Sequence, residues 1–334
     1  MTRTAPGTPA AGLAAALTAT ALWGFTFLGP AAVAPVNVYA LVVGRYAVFG
    51  VLSLAVLLTR RHRLRALDGR SVLAALHLGV VGYIGFYLLL GLSAETGGSV
   101  LAATLTGLIP LMVAVVSNAL ERVLPWRALV LPVLLTSAGL LLVNGGAPTG
   151  GTEGSGPAAG VVLGVLASAA WSYFVIVNHR LLARRATVDN TTWTALIGLG
   201  AFAGSLVLVP VAAAAGGPAP FSDAAVFVPF LLWCAAIAVL GSWCATWFWN
   251  IASRRLPAAV MGPVIAMEAV FGAAFNLLWA GRTPTFHELW GGALVVAGVL
   301  LGSVLFHRAG RARSPAGPAV LHDAREEPSG TGRG

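Results

Sequence analysis

The sequence predicts an all-α integral membrane protein with ten transmembrane helices, arranged as two inverted five-helix repeats. The first observation is composition: 58% of the 334 residues are hydrophobic and 9% are charged, whereas soluble domains carry about 25% charged residues. The second is that apolar runs of spanning length recur ten times along the chain. The third is that arginine is concentrated in every second gap between these runs, as expected when each run crosses the membrane once.

Each run is close to the roughly 20 residues that a helix needs to cross about 30 Å of hydrocarbon. The predicted spans are residues 11–30, 37–58, 71–92, 97–120, 127–144, 158–178, 191–213, 224–251, 257–280 and 287–306. The first run follows Arg3 in the manner of a signal peptide, but it continues to Pro30. It is therefore predicted to be a retained first helix, because the apolar core of a signal peptide is shorter.

The distribution of charge predicts the orientation of the chain. All twenty basic residues are arginine, and 18 of them fall on one side of the predicted membrane, with Arg282 on the other side and Arg45 inside a span. The positive-inside rule then places both termini in the cytoplasm of a multi-pass protein of the cell (inner) membrane. The net charge of +9 does not indicate a nucleic-acid partner, since such a surface would gather the arginines on one soluble face.

The chain also shows weak internal similarity between its two halves. At an offset of 159 residues, Ile109–Pro110 of the fourth run aligns with Glu268–Ala269 of the ninth, and Trp23 aligns with Trp171 at an offset of 148. Because each half holds an odd number of spans, the two halves are predicted to lie in opposite orientations, the plan of many secondary transporters.

Five segments follow from these boundaries. They are a cytoplasmic N-terminal segment (1–10), a first five-helix repeat (11–146), a Gly-rich external linker (147–157), a second five-helix repeat (158–306) and a disordered cytoplasmic tail (307–334). The tail is predicted to be disordered because it has few large apolar residues with which to form a core.

Glu268 is the first candidate functional residue, since it places a carboxylate near the middle of an apolar span. An ionised group at that depth costs at least a few kcal/mol unless it faces protein or water. Pro263 precedes it by just over one turn and removes a helix hydrogen bond. Two interpretations of Glu268 remain: a carboxylate that exchanges a proton or cation in a transport pathway, or a structural residue hydrogen-bonded between helices.

Four short motifs lie in order along the predicted helices. They are Trp23–Phe27 in the first helix, Arg45–Tyr46 in the second, Leu108–Leu111 followed by Glu121–Arg122 in the fourth, and Glu268 in the ninth. On these motifs, residues 11–306 resemble the ten-helix EamA branch of the drug/metabolite transporter superfamily. The resemblance implies secondary transport, usually export, of small metabolites or amino acids by alternating access.

Two further charged residues are candidates for the transport pathway. Arg45, about eight residues inside the second helix, could pair with Glu268 or receive an anionic substrate group. Alternatively, it could extend to the outer headgroups or brace another helix. Glu95 is predicted to open the fourth helix on the outer side. There it is either a carboxylate favoured by a helix N-terminus or part of an outer gate.

Several aromatic and polar side chains complete the candidate site. Trp23, Tyr83, Trp171 and Trp243 are predicted either to line a substrate cavity or to pack against lipid and neighbouring helices. Asn276 is predicted to donate an interhelical hydrogen bond. The pairs Gly200/Gly204 and Gly298/Gly302 permit close helix contact, either inside one chain or in a homodimer.

The sequence predicts a secondary active transporter, not an enzyme, and no cofactor or metal. It contains no phosphate-binding loop and no lysine, so the chain lacks the means to use ATP directly. It also has no His/Cys cluster with metal-ligand spacing. The alternatives are an integral membrane enzyme acting on lipid-like substrates, which would need carboxylate or His clusters at a membrane face, and a membrane scaffold that transports nothing.

Overall fold

The computed structural model describes residues 9–122, 124–145, 156–184, 188–216 and 223–313. Throughout these ranges every regular element is helical, and no strand occurs among them. An all-helical fold agrees with the prediction, since a helix satisfies its own backbone hydrogen bonds in an apolar environment.

The described residues of the N-terminal half form nine α-helices. They are α1 (Pro9–Phe25), α2 (Gly29–Ala32), α3 (Val38–Thr59), α4 (Arg61–Arg65), α5 (Gly69–Gly79), α6 (Phe86–Gly97), α7 (Ser99–Thr106), α8 (Leu108–Glu121) and α9 (Trp126–Gly145). The 3-10 turn Thr26–Leu28 joins α1 to α2. The π-helical segment Val80–Gly85 joins α5 to α6.

In the C-terminal half, the part of the chain that the structure describes forms eight α-helices. They are α10 (Pro157–Arg184), α11 (Asn190–Ser205), α12 (Val209–Gly216), α13 (Ala224–Ala236), α14 (Ala245–Arg255), α15 (Ala258–Ile265), α16 (Met267–Ala280) and α17 (Phe286–Arg313). The 3-10 turn Leu206–Leu208 joins α11 to α12. A second π-helical segment, Ile237–Cys244, joins α13 to α14.

Seven helical stretches are long and apolar enough to cross a membrane. They are Pro9–Ala32, Val38–Thr59, Gly69–Gly97, Ala158–Arg184, Asn190–Ala215, Ala224–Arg255 and Val260–Ala280. The shorter apolar helices Leu108–Leu120, Trp126–Leu142 and Phe286–Gly302 overlap the other three predicted spans. The described residues thus form an integral membrane helical protein, and the count of ten spans remains a prediction.

Polar caps begin several helices at the ends of the apolar runs. Asn37 Oδ1 accepts from Ala40 N at 2.8 Å at the start of α3, and Asp189 Oδ2 accepts from Thr192 N at 2.9 Å at the start of α11. Each cap satisfies a backbone N–H that has no partner inside its own helix.

The glycine pairs of the sequence serve contacts inside the chain. A Cβ at Gly200 would lie 2.1 Å from Leu76 O, so α5 and α11 cross at a distance that only glycine allows. A Cβ at Gly298 would lie 2.4 Å from Thr136 Oγ1, where α9 and α17 pack together. These contacts place one glycine of each pair at a helix crossing within the chain, and a homodimer remains a prediction.

An ion pair joins the two halves where α3 ends and α11 begins, and a second arginine contact lies beside it in the C-terminal half. Arg60 Nη1 lies 3.2 Å from Asp189 Oδ2, and Arg254 Nη2 donates to Val188 O at 2.8 Å. Burial disfavours the charged form of Asp189, but hydrogen bonds from Thr192 and the charge of Arg60 outweigh it and hold the pKa of Asp189 below its usual value.

The predicted terminal and linker segments fall largely beyond the described structure. The last helix continues to Arg313, past the predicted boundary at residue 306. Residues 1–8, 146–155 and 314–334 are outside the described residues, and with them most of the predicted N-terminal segment, external linker and tail.

Candidate functional site

A cavity of about 400 Å³ lies between the two halves of the helix bundle. Its walls come from α1, α3, α6, α8, α10 and α16, and from the breaks between α7 and α8 and between α15 and α16. Most of the lining side chains are apolar or aromatic, and its charged lining residues are Arg45 and Glu268. Binding sites for small molecules commonly combine an apolar wall with a few polar groups in this way.

Glu268 reaches the cavity because its helix is broken immediately before it. Pro263 lies within α15, which ends at Ile265, and α16 starts again at Met267. Glu268 is therefore in the first turn of α16, where the helix N-terminus favours a negative charge. Its carboxylate is half-buried on the cavity wall and makes no hydrogen bond to any of the described residues.

Arg45 is 4% exposed and is held by three neutral acceptors. Its Nε donates to Ser242 Oγ at 2.7 Å, its Nη2 to Gly241 O at 3.0 Å, and its Nη1 to Tyr87 Oη at 3.1 Å. The guanidinium also lies 5.6 Å from the centroid of the Tyr87 ring. The expectation that Arg45 extends to the outer headgroups is wrong, because these contacts hold it inside the protein.

Three of the predicted aromatic residues, Trp23, Tyr83 and Trp171, line the cavity. The Trp23 and Trp171 rings meet edge to face with centroids 5.3 Å apart, and Tyr83 packs on Trp171 at 5.6 Å. Tyr83 Oη also hydrogen-bonds Thr246 Oγ1. The two tryptophans, which the sequence places at corresponding positions of the halves, thus touch each other on the cavity wall.

Trp243 and Asn276 do not contribute to the cavity. Trp243 packs edge to face on Phe49, with centroids 6.1 Å apart, and is not among the lining residues. Asn276 Nδ2 donates to Gly272 O at 2.9 Å, one turn back in the same helix. The predicted interhelical bond of Asn276 is wrong, since the carbonyl of its own helix is the nearer acceptor.

Glu95 also lies elsewhere than predicted. It is in the last turn of α6 rather than at a helix N-terminus, because α6 continues to Gly97 and stops where Gly98 adopts a φ of 90°. Its exposed carboxylate accepts a hydrogen bond from Tyr39 Oη. The interpretation as a helix-capping carboxylate is therefore wrong.

A buried polar network that was not predicted from the sequence joins α10, α11 and α14. Asn178 Oδ1 accepts from Trp193 Nε1 at 2.8 Å, and Asn178 Nδ2 donates to Asn250 Oδ1 at 2.8 Å. Asn250 Nδ2 then donates to Thr194 Oγ1 at 3.0 Å. Asparagines in apolar helices are the signal that could have revealed it, because buried amides require partners.

No group of three His, Cys, Asp or Glu residues that could hold a metal ion occurs within the described ranges. The residues that line the cavity offer a ligand an aromatic surface, one carboxylate and one guanidinium.

Comparison with known proteins shows what this chain is similar to. Residues 158–304 match the sequence model of the EamA-like transporter family. The Inner membrane protein YtfF of Escherichia coli (strain K12) is 28% identical over 308 residues, which cover 87% of this chain and 94% of that relative. A crystal structure with 19% sequence identity covers 90% of this chain and 99% of its own, and its TM-score of 0.72 shows the same fold. The second half of the chain is thus similar to EamA-like transporters, and most of the chain is similar to YtfF.

Proposed function

We propose that this protein is a secondary transporter of the inner membrane that exports small metabolites or amino acids by alternating access, in exchange for protons. The observation that carries the proposal is a single cavity whose wall holds both Arg45 and Glu268. Neither side chain hydrogen-bonds the other; Arg45 binds neutral acceptors, and the Glu268 carboxylate has no hydrogen-bond partner among the described residues.

The charges and walls of this cavity suit a small zwitterion with an apolar body. A carboxylate of the substrate would bind Arg45, its ammonium would bind Glu268, and its side chain would lie against Trp23, Tyr83 and Trp171. The volume of about 400 Å³ lies in the range of about 300–1,000 Å³ that is usual for small-molecule sites.

Competition at Glu268 would supply the coupling. An ionised Glu268 attracts the substrate ammonium, whereas a protonated Glu268 does not, so one carboxylate holds either a proton or the substrate. A proton that binds Glu268 from the outer side would displace the substrate there. The protonated Glu268 would then carry that proton to the cytoplasmic side. Repetition of this exchange moves protons inward and substrate outward, so the proton gradient drives export of the substrate.

The proposal includes ten spans in two inverted halves, with both termini in the cytoplasm. Helix contacts support it: α1 packs on α14 and α16, and α10, the first helix of the second half, packs on α6 and α8. Helix breaks support it too, since Gly107 separates α7 from α8 and Ala266 separates α15 from α16 at the offset of 159.

Two other functions compete with this proposal. A membrane enzyme acting on lipid-like substrates has less support, because the family match is to transporters. A membrane scaffold would tolerate the loss of the Glu268 charge without any change in solute movement. The experiment below separates both from a carrier.

The test is substrate-dependent proton movement in proteoliposomes, with amino acids and small metabolites supplied in turn. We expect wild-type protein to move protons when a substrate is present and Glu268→Gln to lose that movement. Glu288→Gln is the matched control. Glu288 Oε1 lies 2.6 Å from Arg282 Nη2, outside the cavity, so loss of the Glu288 charge should leave coupling intact.

Two results would contradict the proposal. Wild-type protein that moves no solute across the panel would remove the transport function. Substrate-driven proton movement that persists in Glu268→Gln would leave a carrier but assign Glu268 a structural role.

A further inference from the structure

The guanidinium of Arg45 is fixed but not fully occupied. A guanidinium has five N–H donors, and the bonds to Ser242 Oγ, Gly241 O and Tyr87 Oη use three of them. Two N–H groups are left in a side chain that lines the cavity. All three acceptors are neutral, so no hydrogen-bonded carboxylate offsets the positive charge.

The second π-helical segment provides two of these acceptors. In an α-helix the N–H of Ala245 would bond to Gly241 O, four residues earlier. Here the Ala245 N–H bonds to Leu240 O and Ser242 O instead. The carbonyl of Gly241 is thereby released from that N–H, and it accepts from Arg45 Nη2 at 3.0 Å.

Close packing keeps this segment against α1 and the 3-10 turn that follows it, and leaves the segment little freedom. A Cβ at Gly241 would lie 2.1 Å from Thr26 Cγ2, and Thr26 itself lines the cavity. Ser242 is fully buried, and its hydroxyl accepts from Arg45 Nε at 2.7 Å. The segment therefore presents a carbonyl and a hydroxyl at fixed positions beside the cavity.

We propose that Ser242, with the carbonyl of Gly241, is a positioning residue that holds Arg45 ready to bind the carboxylate of the substrate. The inference rests on the proposed function and adds to it a residue that does not itself touch the substrate. A free arginine side chain loses considerable rotamer freedom when it binds a ligand. Because Ser242, Gly241 and Tyr87 already restrain Arg45, its side chain loses this rotamer freedom when the protein folds and not when the substrate binds.

The experiment compares phenylalanine with phenethylamine, which differ by the carboxylate alone, as substrates in proteoliposomes. Ser242→Ala removes the acceptor of Arg45 Nε, and we expect the KM for phenylalanine to rise about tenfold with the maximal rate unchanged. The KM for phenethylamine should stay at the wild-type value, which also shows that the variant folds. Ser242→Thr keeps the hydroxyl and should restore the phenylalanine KM.

Ser253→Ala is the matched control. Ser253 is also buried, but its hydroxyl has no partner among the described residues, so both KM values should remain those of the wild type. The inference is overturned if Ser242→Ala leaves the phenylalanine KM unchanged, or raises both KM values equally, as a structural role would.

The wild-type protein separates this inference from the proposed function. Wild-type transport of phenylalanine in preference to phenethylamine, combined with an unaffected Ser242→Ala variant, overturns the inference alone. Wild-type protein that carries phenylalanine no better than phenethylamine removes the carboxylate role of Arg45, and the inference falls with it. Transport of no solute at all contradicts the proposed function itself.

Discussion

In both π-helical segments, Val80–Gly85 and Ile237–Cys244, the backbone N–H that follows the segment does not bond to the carbonyl four residues before it. Phe86 N–H bonds to Tyr83 O and Val81 O and not to Gly82 O. Ala245 N–H passes over Gly241 in the same way. The two skipped glycines are related by the offset of 159 that relates other parts of the two halves.

The side chains around the two segments differ sharply. Tyr83, in the first segment, packs on Trp171 and on Phe174 and hydrogen-bonds Thr246. Ser242, at the corresponding place in the second, accepts a hydrogen bond from Arg45. The first segment thus builds an aromatic wall, and the second holds a charge.

This difference shows how a repeated backbone can produce an asymmetric site. π-Helical turns are frequent at functional sites because they alter which carbonyls remain free. Here the geometry is shared by the two halves, whereas the chemistry depends on a few side chains. A polar substrate would therefore bind in one preferred orientation across the cavity.

The largest effect is expected for Gly241→Ala, whose new Cβ would lie 2.1 Å from Thr26 Cγ2. Such overpacking costs about 1–3 kcal/mol, and it should also displace the carbonyl that binds Arg45. We expect a lower melting temperature in detergent and loss of the preference for phenylalanine over phenethylamine. In Gly82→Ala the new Cβ would lie 2.6 Å from Phe174 Cβ. This variant should lower stability without changing that preference.

Two companion variants make the Gly241 prediction specific. Thr26→Ser removes the methyl group that the new Cβ meets, so it should restore stability in the Gly241→Ala background. Gly292→Ala places a Cβ where no heavy atom lies within 4 Å and should be neutral. A Gly82→Ala variant that loses the substrate preference as completely as Gly241→Ala would contradict the proposed difference between the segments.

A smaller effect is expected for Tyr83→Phe. The change removes one hydrogen bond, to Thr246, and should cost about 1 kcal/mol of stability because the ring contacts remain. It should leave the ratio of the KM values for phenylalanine and phenethylamine unchanged, since Tyr83 does not contact Arg45 through a hydrogen bond. A change in that ratio equal to the change in Ser242→Ala would show that both segments position the charge.

The smallest effect is expected at Asp189, away from both segments. Asp189→Asn keeps a side chain able to cap α11 but loses the partly exposed ion pair with Arg60. We expect the free energy of unfolding to fall by about 0.2–1 kcal/mol at neutral pH. The folded-state pKa of Asp189 lies below its usual value. The stability difference should therefore be present above about pH 4 and vanish as the pH falls through the folded-state pKa.

Thermal unfolding of wild type and Asp189→Asn between pH 7 and pH 3 tests this prediction. A stability difference that grows as the pH falls would have the wrong sign. The ratio of the two substrate KM values should be unaffected, which separates a scaffold effect from an effect on the cavity.

The sequence predicted the helical membrane fold and the two charged residues of the cavity for a common physical reason. Apolar residues dominate the spans, so a carboxylate such as Glu268 or a guanidinium such as Arg45 stands out, and its energetic cost at that depth points to the interior. The break before Glu268 was also visible in outline, because Pro263 removes a backbone donor.

Other parts of the site could not be predicted, because they depend on hydrogen bonding that composition does not record. Nothing in the pattern of Ile237–Cys244 distinguishes a π-helical segment from an α-helix, and Ser242 is an ordinary small residue until its backbone is placed. Glu95 was misplaced because apolar periodicity locates helix ends only to within a few residues. Asn276 was misassigned because an amide can bond to its own helix as readily as to a neighbour.

If proton and substrate compete for Glu268, substrate binding must release protons from the protein. Detergent-solubilised protein in weakly buffered solution would be mixed with phenylalanine, and the protons released would be measured with a pH indicator. We predict release from the wild type and none from Glu268→Gln, with Glu288→Gln releasing as much as the wild type. Equal release from the wild type and Glu268→Gln would show that the substrate does not displace a proton from Glu268.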